Sequence, residues 1–295
     1  MTTGGKNCAG VLTEVSLILA ALFWGSNYAA TKFATLSLPP LCIVAFRFAF
    51  GGLLMYGALR VLEPKSRLRR ADLLPMAGLS CLGVAVGQTA FTFGLSLTTA
   101  ANTGLVFATA PVWGLLLGFV LGLERPTLKG TAGVGLSVLG VGIVFHEGLV
   151  AEGASLVGDL SVLLAAMSFG AYTVLSMRML KRYSPLAVAT YPTLFGAPIL
   201  LALSVPLFTG MTWEGVGAGA WAAVAFSAVF ATAFALSAWQ TGVSRIGANR
   251  VLVYQYLITV TGIGSGVVFF DEVLSASKIA GGAVILGGVY LARRQ

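Results

Sequence analysis

The chain is divided into ten apolar stretches separated by short polar connections, and this alternation limits the folds open to it. A helix needs about 20 mostly apolar residues to cross the hydrocarbon core of a bilayer. The stretches that approach or exceed this length are 13–35, 40–61, 72–96, 100–123, 129–146, 158–181, 185–208, 217–243, 247–270 and 277–293. Neither of the longer connections, 62–71 and 146–158, could form a soluble domain. The pattern predicts an all-α membrane protein with ten transmembrane helices.

Charged residues are too scarce to cover a water-facing surface. They make up 9% of the 295 residues, and 57% are hydrophobic, whereas about 25% charged residues is typical of a soluble protein. The first apolar run continues past the length of a signal peptide, so we expect no cleavable leader. The three cysteines and the single histidine, His146, lack the spacing of a disulfide framework or a metal site.

Lysines and arginines are distributed unevenly over the two sides of the predicted bundle. With the N-terminus inside, 15 of the 18 fall on the cytoplasmic side, and the outer connections carry Glu147, Glu152, Asp159 and Glu214. The positive-inside rule therefore predicts a cytoplasmic (inner) membrane protein with both termini in the cytoplasm. The same bias accounts for the basic connection 60–70 as a topology signal, so we expect no binding to nucleic acid. The expected partners are a small-molecule substrate and the lipid bilayer.

The sequence repeats itself with an offset of 145 to 148 residues. Trp24 lies 145 residues before Phe169, and Gly114 lies 148 residues before Gly262. These correspondences predict two repeats of five helices each. The glycines recur at spacings of four residues within the stretches, as in GxxxG motifs that let helices approach closely. Such surfaces are compatible with a homodimer without requiring one.

The predicted repeats, residues 1–147 and 148–295, each contain an odd number of helices. The second repeat must therefore enter the membrane from the opposite side to the first. This arrangement is an inverted repeat, and the ligand sites of such proteins lie near the bilayer midplane between the repeats.

One face of the first apolar stretch is aromatic and polar. Its members follow helical spacing: Trp24, Asn27, Tyr28, Thr31 and Lys32. A similar face occurs 145 residues later: Phe169, Tyr172, Thr173 and Ser176. Polar side chains in hydrocarbon need partners, so each could serve interhelical hydrogen bonding or line a cavity. Because aromatic and polar groups recur on several stretches, the set favours a cavity.

Arg47 lies about seven residues into the second stretch, where a charge is costly. It could bind a substrate carboxylate or phosphate, or hold backbone carbonyls as a structural clamp, and the sequence leaves both interpretations open. Lys32 lies near the end of its stretch, where its amine could extend to the interface. The candidate substrate-binding residues are Trp24, Asn27, Tyr28, Arg47, Gln88, Phe91, Tyr172, Trp239, Gln240, Tyr254 and Gln255.

Several chemistries have no signature in the chain. Every Asp and Glu falls at or beyond the end of a stretch, so the sequence offers no carboxylate for proton coupling at mid-membrane. It lacks the GxxxxGK[ST] phosphate loop and any cluster of metal ligands. We therefore expect no catalytic residues, no metal and no cofactor, and predict that the protein is not an enzyme.

The segments WGSNYAATKFA, PPLCIVAFRFAF and APVWGLLLGFVLGLERPT resemble the drug/metabolite transporter superfamily, and in particular its EamA-type ten-helix branch. Glu124 and, more weakly, Glu272 match the family's Gly-Glu signature. The resemblance implies that small metabolites leave the cytoplasm by alternating access through a central cavity.

A similar group within the branch, the YddG-type exporters, carries aromatic amino acids and methyl viologen. The aromatic faces suit that class, so we predict export of aromatic or large neutral amino acids. The alternatives are a carrier of nucleotide precursors, sugars or phosphorylated metabolites, a passive channel and a non-transporting membrane scaffold.

Overall fold

The computed structural model describes residues 3–122, 127–150 and 155–293, and no strand occurs among them. The predicted all-α class is confirmed for this part of the chain. Its principal helices are α1 (Thr3–Thr35), α2 (Pro40–Leu62), α3 (Arg70–Leu97), α4 (Ala100–Val120), α5 (Leu128–Val150), α6 (Leu156–Leu180), α7 (Pro185–Thr209), α8 (Ala218–Ile246), α9 (Gln255–Phe270) and α10 (Ala276–Arg293).

The helices differ in their capacity to span a membrane. Among the described residues, α1 to α8 are each long and apolar enough to do so, whereas α9 and α10 are shorter apolar helices. Helix α9 starts later than predicted because a short helix, Ala248–Val251, and a 3-10 turn, Leu252–Tyr254, precede it. Glu124, the first of the two signature glutamates, lies outside the described residues.

Three of the long helices are irregular near their centres. π-Helical segments interrupt α3 at Cys81–Val86 and α8 at Ser227–Phe234, and their last residues are 148 positions apart. Helix α4 is interrupted between Phe107 and Ala110, immediately before Pro111. π-Helical turns leave the regular hydrogen-bond ladder and occur frequently at functional sites. The irregular positions therefore mark where these helices can offer backbone groups to other elements.

Glycines let two pairs of helices approach closely. A Cβ at Gly25 of α1 would lie 2.4 Å from the Cβ of Thr261 in α9. A Cβ at Gly170 of α6 would lie 2.5 Å from the carbonyl oxygen of Ala110 in α4. Only hydrogen fits at these two positions, so glycine is required for the contact. The closeness of α1 to α9, and of α6 to α4, brings the aromatic faces of α1 and α6 toward the same central region.

Charged and polar contacts are concentrated at the two ends of the bundle. At the end where α1 terminates, here called the Thr35 end, Lys32 pairs with Glu272. At the opposite end, here called the Leu62 end, Arg182 pairs with Asp72. Between them, many large apolar side chains are exposed on the surface, as expected where helices face lipid.

Candidate functional site

A small cavity lies near the middle of the bundle, with a volume of about 30 Å³. It is lined by side chains from six helices: Trp24, Asn27, Tyr28, Arg47, Gln88, Phe91, Phe107, Phe169 and Ile258. One water molecule needs about 10 to 15 Å³ on this measure. The cavity thus has space for two or three water molecules, and any larger ligand requires the helices or side chains to move.

Aromatic rings form most of the cavity wall. Tyr28 contacts Phe91, which contacts Phe107, with ring centroids 5.1 and 5.4 Å apart. Phe107 contacts Phe169 at 5.5 Å, and Phe169 contacts Trp24 at 5.7 Å. Because Trp24 and Tyr28 are one turn apart on α1, the five rings nearly close a circle. These separations are typical of aromatic pairs and create a wall suited to a planar apolar group.

Trp239 of α8 stands behind this wall. Its ring lies 5.1 Å from Trp24 and 5.3 Å from Phe169, measured between centroids, and it does not itself line the cavity. The indole is almost completely buried, and its Nε1 has no hydrogen-bond partner among the described residues. Trp239 therefore supports the rings that line the cavity and keeps an unused donor close to them.

Hydrogen bonds join polar groups of the cavity lining to the π-helical segment of α8. The indole Nε1 of Trp24 donates to the carbonyl oxygen of Ala231 at 2.7 Å, and the hydroxyl of Ser227 donates to Asn27 Oδ1. Arg47 Nε donates to the hydroxyl of Thr232 at 2.7 Å. Side chains from α1 and α2 are thus held by one irregular segment, so a change in that segment would reach the cavity directly.

The surroundings of Arg47 are compatible with both interpretations that the sequence left open. Its side chain is buried, and Thr232 holds one guanidinium nitrogen, as a structural clamp would. Its Nη1 has no partner among the described residues, and the residue lines the cavity. The hydroxyl of Tyr28 is also unpartnered there. Buried polar groups without partners are costly, so both are suited to bind a polar ligand that enters.

Six of the eleven candidate residues line the cavity: Trp24, Asn27, Tyr28, Arg47, Gln88 and Phe91. The cavity does not include Tyr172, Gln240, Tyr254 or Gln255. Gln240 accepts a hydrogen bond from Ser176 at 3.2 Å, and the ring of Tyr172 packs against Gly83.

Gln255 begins α9, one turn before Ile258, and Tyr254 directly precedes that helix. Both polar atoms of the Gln255 amide are buried without a partner in the described part of the chain. Gln255 therefore borders the cavity wall along α9 while remaining outside the cavity itself.

Three lining residues are absent from the candidate list. Phe169 belongs to the recurring aromatic face, and Phe107 ends the first part of α4, immediately before the break near Pro111. Either feature could have drawn attention to these rings. Ile258 is an ordinary apolar residue in an apolar helix, and no signal in the sequence distinguishes it.

Lys32 is held by polar partners at the Thr35 end of the bundle. Its amine donates to Glu272 at 2.7 Å and to the carbonyl oxygen of Thr98 at 3.1 Å. The two carboxylate oxygens of Glu272 also accept the backbone N–H groups of Ala100 and Ala101, at 2.8 and 2.9 Å. Glu272 therefore caps α4, where a negative charge also interacts favourably with the helix dipole.

Two aspartates at helix ends are more buried than their positions in the sequence suggest. Asp159 is fully buried and accepts from the Thr98 hydroxyl at 2.7 Å and from the Asn102 amide at 3.4 Å. Asp72, which is 1% exposed, accepts from Arg182 and Tyr183. Both lie in the first turn of a helix, and both join separate helices. In the described ranges no group of three His, Cys, Asp or Glu side chains could hold a metal ion.

Relatives of this chain are described as transporters. An uncharacterized transporter of Archaeoglobus fulgidus is 24% identical over 285 residues, covering 95% of this chain and 98% of its own. A probable terminal-alkyne amino-acid exporter of Streptantibioticus cattleyicolor is 26% identical, covering 95% and 93%. A probable amino-acid metabolite efflux pump of Salmonella typhimurium is 24% identical, covering 93% and 92%.

A structural comparison and a family profile agree with the similarity to these transporters. A crystal structure aligns with 96% of this chain and 97% of its own, with a TM-score of 0.67 and 22% identity, which supports a shared fold. The sequence profile of the EamA-like transporter family matches residues 11–146 and again residues 156–294. Since the two matches together cover nearly the whole sequence, the chain belongs to the EamA-like transporter family.

Proposed function

We propose that the protein exports aromatic or large neutral amino acids from the cytoplasm by alternating access. The observation that carries this proposal is the central cavity, in which five aromatic rings face a buried guanidinium with an unpartnered nitrogen. The rings would stack on the substrate side chain, and Arg47 would bind its carboxylate. The names of the Streptantibioticus and Salmonella relatives, both given as amino-acid or amino-acid metabolite exporters, support the same substrate class.

In the proposed topology the chain crosses the cytoplasmic (inner) membrane ten times, and both termini lie in the cytoplasm. Helix α9 has 16 residues, or about 24 Å at 1.5 Å per residue. The turns at Ala248–Tyr254 would extend it toward the full width of the bilayer core, about 30 Å. The basic connections at the Leu62 end support a cytoplasmic location for that end.

The proposed mechanism rests on two inverted repeats, residues 1–147 and 148–295. In the proposed repeats, α1 corresponds to α6 and α4 corresponds to α9. The α1–α9 contact at Gly25 therefore corresponds to the α6–α4 contact at Gly170, and the π-helical segment of α3 corresponds to that of α8. A two-fold relation of this kind supports alternation between two states that open on opposite sides. The cavity of about 30 Å³ is too small for an amino acid, so the described state would represent a closed step of the cycle.

The number of basic side chains in the cavity favours an amino acid over a phosphorylated metabolite as the proposed substrate. Within the described residues that line the cavity, Arg47 is the one basic side chain. Lys32 is held by Glu272 at the Thr35 end. One guanidinium matches a carboxylate, whereas a phosphate dianion would favour several basic groups. The site therefore favours amino acids over sugar phosphates or nucleotides.

Uptake and counterflow in proteoliposomes would test the proposal, with labelled tryptophan, phenylalanine and leucine as substrates. We expect saturable counterflow in the wild type and a loss of about 10-fold or more in the Phe91→Ala variant, because one wall of the aromatic cage is removed. Phe93→Ala is the matched control, since Phe93 lies on the same helix and is 43% exposed. Equal loss in both variants, or no flux of any amino acid in the wild type, would contradict the assignment.

A further inference from the structure

A basic groove with a volume of about 740 Å³ opens at the Leu62 end of the bundle. It lies between the connection from α2 to α3 and the connection from α6 to α7. Four basic side chains line it, Lys65, Arg67, Arg69 and Arg182, together with one acidic side chain, Glu63. The groove therefore presents a concave surface with an excess of positive charge.

The nearby carboxylates are already engaged with other groups. Glu63 Oε2 accepts from the hydroxyl of Ser184 at 2.5 Å. Asp72 accepts from Arg182 Nη1 at 2.6 Å and from the Tyr183 hydroxyl at 2.7 Å. Burial, and then the hydrogen bond to Asp72, raises the pKa of Tyr183 from its ordinary value. This hydroxyl therefore stays protonated near neutral pH and continues to donate to Asp72.

The remaining basic side chains form no ion pair with a carboxylate in the described part of the chain, although the charge of Arg69 is close enough to Asp72 to interact favourably with that carboxylate. Within residues 3–122, 127–150 and 155–293, neither Lys65, Arg67 nor Arg69 forms an ion pair with a carboxylate. The side chain of Arg182 is 60% exposed even though one nitrogen binds Asp72. An anion entering the groove would thus meet Lys65 and Arg67, which form no ion pair within these ranges, together with Arg69 and Arg182, which share the single charge of Asp72.

Hydrogen bonds hold the groove in shape. Arg60 Nη2 and the Tyr191 hydroxyl both approach the carbonyl oxygen of Ser66, at 2.7 and 3.3 Å. The backbone N–H of Arg69 donates to the Tyr183 hydroxyl at 3.1 Å. The connection between α2 and α3 is therefore fixed against α7 and against the connection that precedes it. A positive-inside signal requires only the charges, whereas this structure also gives them an ordered surface.

Exposed apolar residues that flank the groove-lining connection in the sequence indicate the kind of anion that the groove would bind. Val61 and Leu62 at the end of α2 are 79% and 71% exposed, and Leu74 at the start of α3 is 83% exposed. A soluble phosphate would leave these side chains uncovered. A phospholipid would place its phosphate among the basic groups and its acyl chains along the apolar ones.

We propose that this groove is a binding site for the phosphate headgroup of an anionic phospholipid. The site uses Lys65, Arg67 and Arg69 from one connection and Arg182 from the other. A bound headgroup links the two connections, which belong to different predicted repeats. The proposal depends on the groove alone and not on the identity of the transported substrate.

The test measures binding to the purified full-length protein in a neutral detergent. Phosphatidylglycerol is titrated while the melting temperature is followed, and native mass spectrometry counts the lipids retained. Phosphatidylcholine and sn-glycerol 3-phosphate are the comparison ligands. We expect a saturable rise in melting temperature with phosphatidylglycerol only, because the site needs both the net negative charge and the acyl chains.

Variants of the groove give the decisive comparison. Arg67→Gln and Arg69→Gln should each weaken phosphatidylglycerol binding about five-fold, and together on the order of 25-fold, at about 1 kcal/mol per basic side chain. Arg70→Gln is the matched control, since Arg70 is exposed at the start of α3, next to Arg69, but does not line the groove. Unchanged affinity in the double variant, or equal responses to phosphatidylcholine or to glycerol phosphate, would overturn the proposal.

Discussion

At the scale of single residues, the buried charge of Arg47 is held on one side by Thr232 and, among the described residues, is unpartnered on another. Thr232 satisfies its Nε, which keeps the guanidinium in place, while Nη1 remains available beside the aromatic rings. A guanidinium in hydrocarbon is costly unless it is paired. A substrate carboxylate would supply the missing partner at the moment when it binds, so the same group would favour occupancy and discriminate against uncharged compounds.

Replacing this charge should change selectivity as well as affinity. In the Arg47→Gln variant we expect the half-saturation concentration for tryptophan to rise about 10-fold or more, because a charge-assisted hydrogen bond is lost. Inhibition by tryptophanamide, which has no carboxylate, should change little. Competition in the counterflow assay measures both values.

Thr232→Val serves as the control for this variant, since it removes the hydroxyl that anchors Arg47 and keeps the guanidinium. A similar loss for tryptophan and its amide in Arg47→Gln would show that Arg47 acts only as a clamp.

At the scale of elements, the start of α4 depends on a glutamate that is distant in the sequence. Glu272 follows α9 and accepts two backbone N–H groups of α4, while Lys32 from α1 neutralises its charge. Three elements therefore meet at one carboxylate at the Thr35 end. The orphan N–H groups of a helix start are costly when buried, so this contact contributes to the stability of the whole end.

A double-mutant cycle would measure that contribution. Glu272→Gln should lower the free energy of unfolding by about 2 to 4 kcal/mol, because the partly buried amine of Lys32 loses its counter-charge. Lys32→Met combined with Glu272→Gln should be less destabilising than the sum of the two single changes, with a coupling of about 1 kcal/mol or more.

Unfolding in mixed micelles provides the measurement. Lys129→Met, at an exposed position on α5, is the control for the loss of a lysine. Simple additivity of Lys32→Met and Glu272→Gln would mean that the ion pair adds nothing to the cap.

At the scale of the whole molecule, polar contacts close the bundle at both ends. Lys32 and Glu272 join α1, α4 and the end of α9, and Asp72, Arg182 and Tyr183 join α3 to the connection between α6 and α7. In alternating access these two sets of contacts would break in turn. The small central cavity lies between the two sets of contacts.

Thiol accessibility would follow this alternation. Thr103 of α4 is fully buried, so a Thr103→Cys variant lacking the native cysteines should react slowly with an impermeant maleimide at rest. We expect faster labelling from the outer side when an amino-acid gradient drives turnover, because opening the Thr35 end exposes α4. Equal labelling rates from both sides, independent of substrate, would indicate a channel.

Much of this architecture follows from the sequence, because hydropathy and helical spacing are local properties. The lengths of the apolar stretches determined the all-α class, and the spacing of Trp24, Asn27 and Tyr28 determined that they share a face. Gln88 and Phe91 on the third stretch were candidate binding residues from the sequence, and both line the cavity. These features needed only the periodicity of a helix.

Other features were decided by tertiary structure alone, since burial and pairing depend on which helices meet. Lys32 and Glu272 are 240 residues apart, and nothing near either one predicts their ion pair. Asp159 is buried because Thr98 and Asn102 cover it, although it lies at the start of its helix. Ile258 lines the cavity only because α9 packs closely against α1. The sequence determined the helices and their faces, and the packing of those helices decided which faces became a site.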